Sequence, residues 1–168
     1  MRSDLEHKRQ APASVRCFVI TVSDTRTTDT DTGGRAAVDL LTAAGHHVAG
    51  KVIVEDNAAM VRAIVERQLA NADIDVIITT GGTGIASRDT TFETVTALLQ
   101  KQLDGFGELF RMISYQDIGA AAMMSRATAG VAAGHIIVCL PGAEGAVRLG
   151  LEKLLLPELG HLVQQARK

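Results

Sequence analysis

Apolar residues along this chain fall into short β-branched runs separated by longer amphipathic stretches, and the two kinds alternate. The runs at 15–22, 47–54, 75–80 and 135–140 predict strands. In the third, Val76, Ile77 and Ile78 are consecutive, which predicts burial on both faces and a parallel sheet. Helical spacing appears between the runs. Val38, Leu40 and Leu41 mark a helix over 35–44, with Gly45 as its C-terminal stop. Met60, Val61, Ile64, Val65 and Leu69 form one apolar face of a second helix, started by Asp56 or Asn57. Further helices are expected over 90–100 and over 105–118, the latter with Leu109, Phe110 and Ile113 inward. Val147, Leu151, Leu154 and Leu155 mark a closing helix, and Pro157 starts a separate short one. Residues 119–134 are rich in Ala and Gly and fit a helix only weakly. Strand–helix alternation predicts a doubly wound α/β domain over 15–168, preceded by a polar, flexible tail over 1–14.

Ligands of open α/β sheets bind beyond the carboxyl ends of the strands. Three loops at such ends have unusual composition: TVSDTR at 21–26, TTGGTG at 79–84 and LPGAEG at 140–145. Parallel strands would bring them to one edge. Gly81, Gly82 and Gly84 let the backbone close on a ligand so that N–H groups converge on phosphate oxygens, and Thr80 and Thr83 add hydroxyls. The same glycines also suit an ordinary strand-to-helix turn, and the loop is neither a Walker A loop nor a dinucleotide fingerprint. Asp56 and Asp89 stand near strand ends, where carboxylates would repel a phosphate unless Mg²⁺ lay between them. Helix capping is the competing role for both. Ser23 and Asp24 fit ligand binding and loop closure equally. Arg88 and Arg126 have the charge to reach phosphates, although most arginines are solvated.

Composition narrows the choices. A net charge of −2 offers no basic field for nucleic acid, and the absence of Trp leaves little for base stacking. No signal peptide or membrane anchor is visible, so a cytoplasmic location is expected. Cys17 and Cys139 lie inside apolar runs and read as buried thiols; a disulfide would require neighbouring strands.

Taken together, TVSDTRTTDTDTGG, TTGGTGIASRDTTFE, GFGELFRMIS, SRATAG and LPGAEGAV occur in an order and spacing that resemble the MoaB/MogA family of molybdenum cofactor biosynthesis, its MoaB branch in particular. The resemblance runs from about Val15 to Leu159. It implies a three-layer α/β/α fold with a mostly parallel sheet, and a homo-oligomer, a trimer or a dimer of trimers. It implies an activity in which the phosphate of molybdopterin attacks the α-phosphorus of ATP with Mg²⁺ present, giving adenylylated molybdopterin and pyrophosphate. By the same resemblance Asp56 and Asp89 serve the metal and the reaction. Gly81, Gly82, Thr83 and Gly84, with Ser125, Arg126, Pro141 and Gly142, contact pterin or nucleotide. One departure is that Ala143, Glu144 and Gly145 follow the LPG segment, where the family often has Pro or Ser and then Lys. The alternative is a non-catalytic carrier that binds and delivers the pterin.

Overall fold

The computed structural model describes Glu6 and residues 8–168. Six strands form one sheet in the order β2-β1-β3-β6-β5-β4. They are β1 (Arg16–Val22), β2 (His47–Val54), β3 (Val76–Thr80), β4 (Lys101–Gln102), β5 (Thr128–Ala132) and β6 (His135–Leu140). The first four in spatial order are parallel, and β5 and β4 each run antiparallel to their neighbour. The helices are α1 (Thr32–Ala43), α2 (Ala58–Leu69), α3 (Thr91–Leu98), α4 (Asp104–Ile118), α5 (Glu144–Gly150) and α6 (Leu159–Ala166). A 3₁₀ segment follows α4 at Gly119–Met124, and a π turn follows α5 at Leu151–Leu155.

Alternate residues of the central strands feed two separate apolar layers. Cys17, Val19, Val76, Ile78, Val138 and Leu140 pack with Leu41 of α1, Phe110 of α4, Leu151 and Leu159. Ile20, Val22, Ile77, Ile137 and Cys139 pack with Val61 and Val65 of α2 and Val95 of α3. The sheet is therefore covered on both faces, which is the expected three-layer α/β/α arrangement. Strands with a period of two and no polar face must be covered in this way. Cys17 on β1 and Cys139 on β6 are separated by β3 and face opposite layers, so the neighbouring-strand condition for a disulfide is not met and both are free thiols. Burial pushes each thiol up to about 12.

Several sequence expectations need correction. Helix α1 begins at Thr32, three residues before the start predicted at 35, because Asp31 caps it by accepting from the Gly34 N–H at 3.0 Å. Gly33 and Gly34 are not breakers there; both are buried where a side chain would not fit. Met60 and Leu109 were expected inward but are 45% and 47% exposed. Residues 119–134 hold the 3₁₀ segment and β5, not a helix, and β4 has no apolar pattern to announce it. Gly45 does end α1, with φ +87° and the His46 N–H donating to Leu41 O. The expected tail over 1–14 lies partly outside the described residues, at 1–5 and 7. Of the rest, Lys8 pairs with Glu158.

Candidate functional site

Register brings the predicted loops together. Thr21 of β1 aligns with Thr80 of β3, and Thr80 with Leu140 of β6, so all three strands end at one edge. Val22 also aligns with Val54, which delivers Asp56 to that edge. Close backbone approach then locks the loops. The Gly81 N–H donates to Leu140 O at 3.0 Å, and its φ of +94° suits glycine. A Cβ on Gly81 would collide with Val22 O. One on Gly142 would lie 3.1 Å from Gly81 Cα, and one on Gly33 would lie 2.7 Å from Gly142 O. The α1 N-terminus, the LPG turn and the TTGG turn thus interlock through glycines.

Beyond Gly81 the backbone changes character. The N–H groups of Gly82, Thr83, Gly84 and Ile85 donate to no acceptor among the described residues. The Ala86 N–H then donates to Asp89 Oδ2 at 3.0 Å. Four successive free amides are the raw material of an anion nest. Thr80 and Thr83, expected as hydroxyl donors, are buried.

Two carboxylates border this loop. A Cβ on Gly82 would come 3.1 Å from Asp56 Oδ1, and one on Gly84 would come 2.5 Å from Asp89 Oδ2. Neither acid is a helix cap. Asn57 caps α2 through the Met60 N–H at 3.1 Å, and Thr90 stands at the cap position of α3. Burial pushes the Asp56 carboxyl up; the Thr90 backbone N–H and Arg88 oppose this, while the charges of Asp89 and Asp24 add to it. The net result is a raised value. Asp24 accepts from the Asp56 N–H at 3.0 Å and pairs with Arg88, so it ties the first loop to the segment after GGTG. Ser23 Oγ accepts from the Thr25 and Arg26 N–H groups and closes its own loop.

The SR segment lies against the same loop. Arg126 is directed inward to Thr83 O and Gly84 O, and Ser125 is half-buried beside it. Pro141 is half-buried and Gly142 exposed at the LPG turn. Glu144 pairs with Arg148 one turn further along α5. Sequence reading missed Asp31, although its place three residues before Gly34 fits a cap. Burial pushes its carboxyl up, but the Lys51 ammonium, the Thr21 hydroxyl and the Gly34 N–H outweigh that and hold it below the usual value. It anchors α1 under the site and, being buried, offers no ligand contact.

Among the described residues no three His, Cys, Asp or Glu side chains converge as a metal site. The donors at the edge do suit one hard ion shared with a phosphate ligand. Mg²⁺ is commonly held by one or two carboxylates with substrate oxygens and waters completing its shell. Asp56 and Asp89 are two carboxylates unused by caps, and the Thr90 hydroxyl is shielded from solvent without a protein partner.

Residues 18–161 match the family model described as a probable molybdopterin binding domain. The chain is 51% identical over 158 residues to molybdenum cofactor biosynthesis protein B of Bacillus cereus, covering 94% of each chain. It is 50% identical over 164 residues to the protein of that name from Bacillus subtilis, covering 97% of this chain and 96% of the relative. A crystal structure of molybdenum cofactor biosynthesis protein B superposes with a TM-score of 0.90 at 49% identity, covering 94% of this chain and 98% of the other. The tungsten cofactor synthesizing protein MoaB from Pyrococcus furiosus superposes at 0.83 and 37%, covering 94% and 100%.

Proposed function

Because the chain belongs to the MoaB/MogA family of molybdenum cofactor biosynthesis proteins, we propose that it binds molybdopterin and adenylylates it with MgATP. A phosphate oxygen of the pterin forms a bond to the α-phosphorus of ATP. The bond from that phosphorus to the bridging oxygen of the β-phosphate breaks, and pyrophosphate leaves with the electron pair. The observation carrying this reading is the run of four unpartnered N–H groups beside two uncapped carboxylates at one strand edge.

The amides of Gly82, Thr83, Gly84 and Ile85 hold phosphate oxygens and keep the two polyanions aligned, which is where most of the rate of such transfers arises. Asp56 and Asp89 would hold Mg²⁺. When bound, the ion offsets charge between the phosphates. Burial and the charges of Asp89 and Asp24 raise the Asp56 carboxyl, and a cation held there would favour its ionised form. Gly33, Gly81 and Gly142 keep the three loops in fixed contact, so the geometry is set before substrate arrives. Arg88 is 71% exposed in its side chain and pairs with Asp24, within reach of an incoming anion.

Leu109, Met112, Tyr115, Ile118, Met123 and Met124 are large apolar side chains exposed on α4 and the segment after it. Such a patch supports the homo-oligomer implied by the resemblance, a trimer or a dimer of trimers. Among the described residues no helix is long and apolar enough to cross a membrane.

The test is pyrophosphate release from the purified chain given molybdopterin and MgATP. Release that requires both substrates, with adenylylated pterin recovered in equal amount, is the expected outcome. Tight pterin binding with no pyrophosphate would replace the enzyme with a carrier.

A further inference from the structure

Arg126 precedes β5, and its side chain runs back beneath the glycine loop. Its Nε donates to Thr83 O at 2.8 Å. Its Nη2 donates to Gly84 O at 2.7 Å and reaches Asp89 O at 3.4 Å. Glu93 of α3 grips the other side of the guanidinium, and the Phe92 ring lies 5.0 Å from it. Nearly every donor of this side chain is therefore committed inside the protein.

A trans peptide unit is planar, with its C=O and N–H pointing in opposite directions. Drawing Thr83 O toward Arg126 thus sends the Gly84 N–H the other way. Drawing Gly84 O toward Arg126 does the same to the Ile85 N–H. These are two of the four N–H groups with no protein partner.

We propose that Arg126 is the positioning residue that forms the anion-binding face of the loop: it gathers carbonyls on one side, turns the Gly84 and Ile85 amides outward, and itself stays off the ligand. A guanidinium suits this role because its rigid fork serves several acceptors at once, whereas an ammonium is a single point charge. The inference borrows its substrate from the adenylyl-transfer reading, but the amide face would bind phosphate oxygens whether or not transfer follows.

The experiment uses the ¹⁵N-labelled full chain titrated with inorganic pyrophosphate in the absence of metal. In the parent, the Gly84 and Ile85 amide resonances should shift while Arg126 Nε does not. Arg126→Lys and Arg126→Gln should each weaken pyrophosphate binding by about 10-fold, with Lys no better than Gln despite its charge. Free guanidinium added to Arg126→Ala should restore part of the affinity. Glu93→Gln leaves the arginine in place and should lose only about 2-fold, which keeps the idea testable if the Arg126 variants fold poorly. A Lys variant that binds like the parent, an Arg126 Nε resonance that follows the anion, or unchanged affinity in every variant would overturn it. If the amide shifts obey this pattern but molybdopterin and MgATP release no pyrophosphate, adenylyl transfer falls and the positioning role stands.

Discussion

Asp75 and Asp56 lie at opposite ends of the same parallel strands and meet opposite treatment. Asp75, just before β3, is 5% exposed. It accepts from the Arg16 N–H at 2.8 Å and from Arg16 Nη2 at 3.1 Å, and it also pairs with Arg167. Burial pushes its carboxyl up, but the two arginines outweigh that and leave it below the usual value. Asp56 receives far less. Burial and the charges of Asp89 and Asp24 prevail over the Thr90 N–H and Arg88, and its carboxyl is raised. One acid is fully answered by the protein and fastens α6 to the strands. Among the described residues the other has no paired cation of its own and keeps a 3.5 Å contact from the Thr91 hydroxyl against burial and two neighbouring acids. Unanswered charge at a strand-end edge is what a ligand site requires, and perturbed carboxyls cluster where that is so.

The strongest way to break this contrast is to neutralise the acids at the functional edge. Asp56→Asn and Asp89→Asn should each reduce pyrophosphate release by about 100-fold or more, about 2.7 kcal/mol of barrier, while molybdopterin binding changes little. The Asp56→Asn protein should unfold at the same temperature as the parent or higher, because burial and the charges of Asp89 and Asp24 disfavour the carboxylate, and the amide Oδ1 can still accept from the Thr91 hydroxyl. Parent-like turnover in both variants would remove the carboxylates from the chemistry. Asp75→Asn should show the mirror image: turnover per folded molecule unchanged and stability lower by about 2 kcal/mol in urea unfolding. A loss of turnover equal to that of Asp56→Asn would erase the distinction between the two ends.

How much of this was legible in the sequence depended on side-chain bulk. Strands β1, β3 and β6 announce themselves because β-branched residues facing both layers make nearly unbroken apolar runs, while the edge strand β2 shows through Val52, Ile53 and Val54 despite Lys51. Strand β5 is TAGVA, too small to stand out, and it is defined by pairing with β6 through a tight turn at Ala133 and Gly134, both at positive φ. Glycine misled at the start of α1, where Gly33 and Gly34 serve close contact and not flexibility. The strand-end loops and both candidate acids were readable from strand polarity and residue type. Whether Asp56 and Asp89 were caps was not, since Asn57 and Thr90 are equally good candidates in sequence and only the structure shows which residue takes each position. Nor does sequence reveal that Arg126 faces inward, because an arginine's direction is decided by carbonyls 42 and 43 residues away.

Acid titration sharpens the contrast without mutating Asp75. A depressed carboxyl stabilises the fold above its unfolded value and loses that contribution as pH falls through the folded value. Asp75 and Asp31, both lowered from 3.8, should therefore make the parent progressively less stable below about pH 4. For Asp56, raised from 3.8, the sign reverses. Its penalty is present above the folded value and vanishes as pH drops below 3.8. The stability advantage expected of Asp56→Asn at neutral pH should thus close near pH 4, as followed by unfolding midpoints of the two proteins. An advantage that persisted unchanged at pH 3 would mean that the substitution acts through packing and not through charge.

The smallest expected effect concerns Glu144, the acid that departs from the family pattern at the LPG turn. Its charge sits in the first turn of α5, where a carboxylate is favourable, and it is answered by Arg148 at 3.0 Å. Both side chains are more than 40% exposed, so the pair is worth a few tenths of a kcal/mol and its field is screened. Removing the charge should therefore change little at the nest. Glu144→Gln is expected to alter the KM for MgATP by no more than about 2-fold, equivalent to about 0.4 kcal/mol, and to lower stability by a similar amount. A tenfold tightening would show that Glu144 faces the bound anion directly. The functional edge would then carry three opposing carboxylates, and its contrast with the Asp75 end would be greater than the free structure displays.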